Sequence, residues 1–134
     1  MNSSQPIKIT VAGRIDDPNF HRCVSVASRL EETHYGEVTT EFLQFFETQW
    51  EEHLKKVANK LKGVFYSHGE SPLVILNDKE YIGDQDKFME YALHTFKFRD
   101  DTESKVYNDA AEQAYCKAIN ASKTKKYAFL EFSH

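Results

Sequence analysis

The chain has 134 residues, of which 40% are hydrophobic and 13% aromatic, and its net charge is -4. These values are typical of one globular domain with a sizeable core, and they exclude an intrinsically disordered chain. The mild charge favours neither nucleic acid nor an anionic membrane as a partner. No apolar run approaches the roughly 20 residues that a membrane-spanning helix needs.

The N-terminus and the cysteines predict a cellular compartment. MNSSQP lacks the basic start and apolar stretch of a signal peptide. Cys23 and Cys116, the two cysteines, lie far apart in the sequence, so we expect them to be reduced and unpaired. Together these features predict a soluble, cytoplasmic protein.

The first half of the chain predicts strand, helix, strand, helix. Apolar and polar residues alternate from Ile7 to Ala12, which is typical of a strand that ends at Gly13. Asp17 can cap a helix that begins at Pro18 and runs to about residue 34. The buried face of that helix is predicted to be Phe20, Cys23, Val24, Ala27 and Leu30. A strand over 38–46 and an amphipathic helix over 47–62, ended by Gly63, follow.

The second half predicts a hairpin and another helix. Pro72 precedes a buried strand over 73–76, because proline is tolerated at a strand's first position. A turn at 77–79 and a short antiparallel strand over 80–82 follow, and then Asp84 or Asp86 caps a helix. Its buried face is predicted to be Phe88, Met89, Ala92, Leu93 and Phe96. This order predicts an α/β, thioredoxin-like fold: a four-stranded mixed sheet with flanking helices.

The motifs resemble those of glutaredoxins over Ile7 to Phe98. The matching features are the segment 16–20 (DDPNF) after the first strand, Ser71-Pro72, and the turn 81–86 (YIGDQD). In glutaredoxins a Cys-Pro-Tyr-Cys loop, a Val-Pro and a Gly-Gly-x-Asp turn build a glutathione site. The chain also resembles the glutaredoxin-like N-terminal region of the malate dehydrogenase 1B family, in segment 11–14 (VAGR), a tryptophan-containing acidic helix start and the Ser-Pro. That resemblance implies a link with cilia and sperm flagella. The dehydrogenase part and its G-x-G-x-x-G motif are absent from the sequence.

The resemblance implies that the redox site has been lost. Asp17 stands at the position of the nucleophilic cysteine and Phe20 at that of the resolving one, so the loop Asp17, Pro18, Asn19, Phe20 is degenerate. Thiol–disulfide exchange needs a thiolate, which a carboxylate cannot replace. The family's glutathione positions correspond to Ser71, Pro72, Gly83, Asp84 and Asp86, with Pro72 at the family's cis proline. Asp84 replaces the second glycine, and its carboxylate would repel the glutamyl carboxylate of glutathione.

Other chemistry has little support in the sequence. Asp17 is expected to be an ionised, solvated helix cap, and both cysteines are expected to be small buried hydrophobes. The six histidines form no metal-ligand spacing, and no G-x-S-x-G nucleophile motif occurs. We therefore predict a protein that is not an enzyme and that has no cofactor and no metal.

The C-terminal extension, 99–134, is predicted to be a helix and partner-binding arm added to a glutaredoxin-like domain of 1–98. The helix is expected over Asp100–Asn120, capped by Asp101 or Thr102. Its stripe of small residues and tyrosines either packs on the protein's own body or accepts another element: Tyr107, Ala110, Ala111, Ala114, Tyr115 and Ala118. Three basic residues, Lys123, Lys125 and Lys126, are followed by an aromatic run near the C-terminus. This run either forms an edge strand or inserts into another protein, and the second is favoured because exposing it is costly.

The leading hypothesis is a non-catalytic docking or structural module in a larger assembly, which the resemblance places in the ciliary or flagellar axoneme. It predicts protein partners, and neither nucleic acid nor membrane. The predicted contact residues are Tyr127, Phe129, Leu130 and Phe132, with Trp50 a weaker candidate. One rival is a glutathione-binding transferase or reductase that lacks the usual cysteine and uses Arg14, Asn19, Ser71 and Tyr81. Another is a regulatory module that acts on a dehydrogenase in trans.

Overall fold

The computed structural model describes residues 6–60 and 71–132, and the side-chain surroundings of 6–58 and 71–121. The strands are β1 (Ile7–Arg14), β2 (Val38–Phe45), β3 (Leu73–Leu76) and β4 (Glu80–Gly83). The helices are α1 (Pro18–Thr33), α2 (Glu47–Lys60), α3 (Gln85–Phe96) and α4 (Ser104–Phe132). The helix end predicted at Gly63 lies outside the described residues.

The four strands form one mixed sheet in the order β2-β1-β3-β4. β1 and β2 are parallel, with Ile7 opposite Val38, and α1 makes the crossover between them. β3 runs antiparallel to both of its neighbours, and Val74 lies opposite Val11 of β1. The α/β fold predicted from the order of elements is confirmed, and this mixed sheet with its helices is compatible with a thioredoxin-like fold.

Successive side chains of β1 point to opposite faces of the sheet, so the hydrophobic core has one part on each face. Ile9 and Val11 point to one face, where they pack with α1 and α3 in the main core. Ala12 points to the other face and packs with Trp50 and Leu73 beneath α2. The fully buried side chains of the main core include Phe20, Cys23, Val26, Leu30, Val74 and Phe88. The sheet is therefore covered on both faces, with α1 and α3 on one side and α2 on the other.

Local signals in the sequence set the starts of two helices and one turn as predicted. The carboxylate of Asp17 accepts a hydrogen bond from the backbone N–H of Asn19 at 3.0 Å, and Pro18 is the first residue of α1. Asp84 caps α3 in the same way, through the N–H of Lys87 at 3.1 Å. Asn77 and Asp78 have positive φ angles of 54° and 65°, which suit the tight turn 77–79 that joins β3 to β4 as a hairpin.

The last helix differs from the prediction at both ends. It begins at Ser104, so neither Asp101 nor Thr102 is the residue that precedes it. The delay has a local cause, because the carboxylate of Asp100 accepts the N–H of Thr102 at 3.2 Å and holds this segment out of the helix. The helix then continues to Phe132, since no glycine or proline interrupts it. The backbone of the terminal run is thus helical, and the edge strand considered for it is wrong.

The first part of α4 packs on α1. Tyr107 and Ala111 are buried, whereas Tyr115 keeps 41% of its surface exposed. The beginning of the predicted stripe therefore covers the protein's own body. The prediction that Cys116 is buried is wrong, because this cysteine is exposed. It lies nine residues after Tyr107, which is about two and a half turns and places it on the opposite side of the helix.

Among the described helices, none contains a stretch that is both long enough and apolar enough to cross a bilayer.

Candidate binding cleft

A cleft of about 500 Å³ opens where four segments meet at one edge of the sheet. β1 and β2 are parallel, so both end at this edge and α1 and α2 both begin there; such edges are where open α/β sheets bind ligands. Ser71, which precedes Pro72 and β3, lines the remaining side of the cleft. The lining residues are Arg14, Asp17, Asn19, Glu47, Trp50, Glu51, Leu54 and Ser71.

Gly13 allows the walls of this cleft to approach closely. The hydroxyl of Ser71 accepts the backbone N–H of Arg14 at 2.9 Å, which joins the start of β3 to the end of β1. A Cβ atom on Gly13 would lie 2.5 Å from Cδ1 of Phe20 and 2.8 Å from Oγ of Ser71. The Ser71-Pro72 peptide beside it, whose isomer the sequence does not predict, is cis.

Asp17 is the most unusual polar group in the cleft. Only 7% of its surface is exposed, so the prediction that it is solvated is wrong. The turn after β1 explains its burial, because the N–H of Asp17 donates to the carbonyl of Arg14 at 3.1 Å and draws the start of α1 under the strand end. One carboxylate oxygen caps the helix, whereas Oδ2 is buried with no hydrogen-bond partner among the described residues.

The lining carries more negative than positive charge. Three carboxylates, those of Asp17, Glu47 and Glu51, face a single guanidinium, that of Arg14. This guanidinium lies beside Asp16, with Nε 3.6 Å from the carboxylate oxygen, although Nε is buried and has no hydrogen-bond partner among the described residues. The N-terminal ends of α1 and α2 add about half a positive charge each, which offsets only part of the excess. The cleft therefore favours cations over anions.

The nearest thiol has no means of reacting. Cys23 is completely buried in α1. Burial first, and the negative charges of Asp17 and Asp84 second, raise the pKa of the Cys23 thiol well above its ordinary value. A thiol that stays protonated and has no access to solvent is inert in disulfide exchange. The prediction that Cys23 is a buried hydrophobe is confirmed.

The residues that match the glutathione-binding turn of glutaredoxins have structural roles in this chain. Gly83 has a φ of 131°, a conformation that a residue with a side chain rarely adopts. Asp84 caps α3 and Asp86 is exposed in its first turn. Tyr81, proposed with Arg14, Asn19 and Ser71 for a cysteine-free enzyme, packs against the second core under α2 rather than lining the cleft. The structure thus brings three of those four residues together.

The predicted partner contacts divide into two groups. Trp50 is only 3% exposed, stacks with His53 and packs at a tilted angle against Phe45. Its weaker assignment as a surface anchor is therefore corrected, because it forms a wall of the cleft and part of the core. For Tyr127, Phe129, Leu130 and Phe132 the structure gives a helical backbone in α4, and their side chains lie outside the described residues.

A second polar cluster, which the sequence analysis missed, holds α4 to α1. The carboxylate of Asp100 has no exposed surface and pairs with Arg22 at 2.5 Å and with Arg29 at 2.8 Å. The hydroxyl of Tyr107 donates to the same carboxylate at 3.1 Å. Burial alone would raise the pKa of Asp100, but hydrogen bonds from Arg29, Thr102 and Tyr107 hold this pKa well below its ordinary value.

Comparison with known proteins does not assign this chain to a family. The chain matches no protein-family model, and no curated protein matches it either. Among the described residues, no group of three or more His, Cys, Asp or Glu side chains is arranged to hold a metal ion. The resemblance to glutaredoxins and to the malate dehydrogenase 1B family therefore stays a prediction.

Proposed function

We propose that this protein is a non-catalytic, thioredoxin-like docking module that binds other proteins in a larger assembly. The observation that carries the proposal is the burial of Asp17: its carboxylate lies in the cleft at the start of α1, where the resemblance to glutaredoxins implies that disulfide chemistry would need a reactive thiol. The scaffold around it keeps an open cleft lined by side chains from β1, α1 and α2. Such a site can hold a ligand, and it offers no thiolate for electron exchange.

The C-terminal part of α4 supplies a second binding surface. At 1.5 Å per residue, the 29 residues of α4 span about 44 Å and the 16 residues of α1 about 24 Å. The buried residues of α4 with described surroundings, Tyr107 and Ala111, lie in its first third, and Tyr115 makes an edge contact with Phe46. The backbone of α4 continues as a helix to Phe132, and the proposal assigns the aromatic run from Tyr127 to Phe132 to a partner.

Truncation after Ser122 tests this surface. The shortened chain is expected to keep its melting temperature, because Tyr107, Ala111 and the Asp100 ion pairs remain. It is expected to recover at least tenfold less of the partners that the full chain captures from ciliated cells, where the resemblance implies an axonemal location. Cys116→Ser, an exposed change on the same helix, is the control and should recover as much as the wild type. Equal recovery by the truncated chain would contradict the helix surface.

A glutathione-binding enzyme is the second candidate, and one observation favours it. Arg14, Asn19 and Ser71, the residues proposed for a cysteine-free site, line one cleft. The excess of carboxylates there opposes the anionic tripeptide, so docking remains the better account of the same cleft. A dehydrogenase among the recovered partners would support the regulatory alternative, in which the module acts in trans.

A further inference from the structure

We infer that the cleft binds the ammonium or guanidinium group of a lysine or arginine side chain, carried by an extended segment of a partner protein. This inference rests on the proposed docking function and names the chemistry that the cleft selects. Three independent features of the site support it: an unsatisfied acceptor, the sign of the charge, and the apolar walls.

The unsatisfied acceptor is Oδ2 of Asp17. This residue is more than nine-tenths buried, it lines the cleft, and this oxygen has no hydrogen-bond donor among the described residues. Leaving a buried acceptor unpaired costs free energy, more so when it is charged. A donor that enters the cleft from outside removes this cost. A positively charged donor forms the strongest such bond, because both partners are ionised.

The charge of the cleft selects a cation. Glu47 and Glu51 are exposed and four residues apart on α2, so one face of the helix presents both carboxylates to the opening. Asp17, which is buried, also lines the cleft, and Arg14 lies 3.6 Å from Asp16, although its Nε makes no hydrogen bond to any described residue. A cation in the cleft is therefore lined by three carboxylates against one guanidinium that already has an acidic neighbour. Glutathione has two carboxylates and one ammonium group, so the same field disfavours it.

The walls fit the stem of a long basic side chain. Leu54 and the indole of Trp50 form the α2 side of the cleft, and Trp50 also packs in the core. Lysine and arginine bury their methylene groups along such apolar surface while the charged end reaches a polar partner. At the rim, the exposed amide of Asn19 is placed to bond the backbone of the incoming segment. A short, wholly polar cation would leave the apolar wall uncovered.

Trp50 gives the experiment its signal, because it is the single tryptophan of the chain. Its fluorescence would be followed while the full chain is titrated with the acetylated, amidated tripeptides Ala-Lys-Ala, Ala-Arg-Ala and Ala-citrulline-Ala, and with glutathione. Citrulline has nearly the shape of arginine without its charge. The lysine and arginine peptides are expected to saturate the signal, and to bind at least about tenfold more tightly than the citrulline peptide or glutathione, as for one charge-assisted hydrogen bond. Raising the salt concentration should weaken them.

Two variants and a matched control assign the effect to the cleft. Asp17→Asn keeps a side chain that caps α1 and is expected to weaken the arginine peptide by about tenfold. Glu51→Gln is expected to weaken it by about threefold, because this carboxylate is exposed. Glu52→Gln removes the same charge from the same helix outside the cleft lining, and it should leave the affinity unchanged. Circular dichroism checks that each variant is folded.

Several results would overturn the inference: no saturable response to the basic peptides, equal affinity for the citrulline peptide, tighter binding of glutathione, or an Asp17→Asn variant that binds as the wild type does. These outcomes are separate from the truncation test. If truncation abolishes partner recovery but the basic peptides give no fluorescence response, the cation site is refuted and the α4 surface is not. If the basic peptides bind the cleft but the truncated chain recovers as many partners as the full chain, the α4 surface is refuted and the cation site is not.

Discussion

Asp100→Asn is expected to lower the free energy of unfolding by about 3 kcal/mol, the lower end of the cost of removing one partner from a buried ion pair. The variant leaves Arg22 and Arg29 without the carboxylate that pairs with both of them. The lower end applies because the Arg29 side chain is 36% exposed and can turn to water. Urea denaturation followed by circular dichroism gives the value, provided the slope with denaturant is unchanged.

Asp101→Asn is the matched control for this prediction. It removes the same charge from the neighbouring residue, which is exposed, and should change the free energy of unfolding by less than about 0.5 kcal/mol. If Asp100→Asn costs no more than Asp101→Asn, the buried cluster does not stabilise the packing of α4 on α1.

The same carboxyl gives the stability a defined dependence on pH. Because the folded pKa of Asp100 lies below its ordinary value of 3.8, its stabilising effect is complete above that value and is lost as the pH falls further. The gap between wild type and Asp100→Asn should therefore be constant from about pH 5 to 7 and shrink below about pH 4. A gap that widened in acid would contradict the assigned pKa direction.

Gly13→Ala is expected to lower the free energy of unfolding by about 3 kcal/mol, in the range of overpacked core sites. The added methyl group would meet Phe20 at 2.5 Å and Ser71 at 2.8 Å. Phe20 is fully buried and Ser71 is bonded to the backbone of Arg14, so neither can move aside at little cost. Without this crowding, exchanging glycine for alanine would stabilise the chain by about 0.4–1 kcal/mol, so the sign of the effect tests the close approach.

Gly36→Ala separates crowding from backbone strain. Gly36 has a φ of 86° with nothing within 4 Å of an added Cβ atom, and its substitution should cost only about 1–2 kcal/mol for the left-handed conformation. In a double-mutant cycle, Phe20→Leu combined with Gly13→Ala should destabilise less than the sum of the two changes. Strict additivity would show that the methyl group and the ring do not meet.

Local patterns were enough to predict most of the fold. Asp17-Pro18 and Asp84 predict helix starts because capping is decided within a few residues. Period-two alternation in β1 and the apolar run of β3 predict strands for the same reason. The parallel pairing of β1 with β2 follows from the helix between them, since such a crossover needs its length.

Features that depend on distant residues could not be predicted. Arg22 and Arg29, seven residues apart, share one side of α1, which is a signal for a common partner; but Asp100 lies 78 and 71 residues away. The acidic cleft likewise needs Glu47 and Glu51 to meet Asp17 across the sheet edge. The aromatic residues near the C-terminus favour a strand by propensity. They are helical because they follow a helix that no glycine or proline interrupts, so α4 extends through them to Phe132.

Disulfide reduction by the purified chain is the most direct test of the central claim, that this scaffold binds without exchanging electrons. The rate would be measured with glutathione as reductant and a small mixed disulfide as substrate, for the wild type and for Cys23→Ser/Cys116→Ser. Both are expected to match the rate without protein, because Asp17 stands where the resemblance to glutaredoxins puts the attacking thiol, and because Cys23 is buried. Robust turnover by the double variant would contradict the claim outright, and turnover confined to the wild type would show that one of its two thiols is reactive after all.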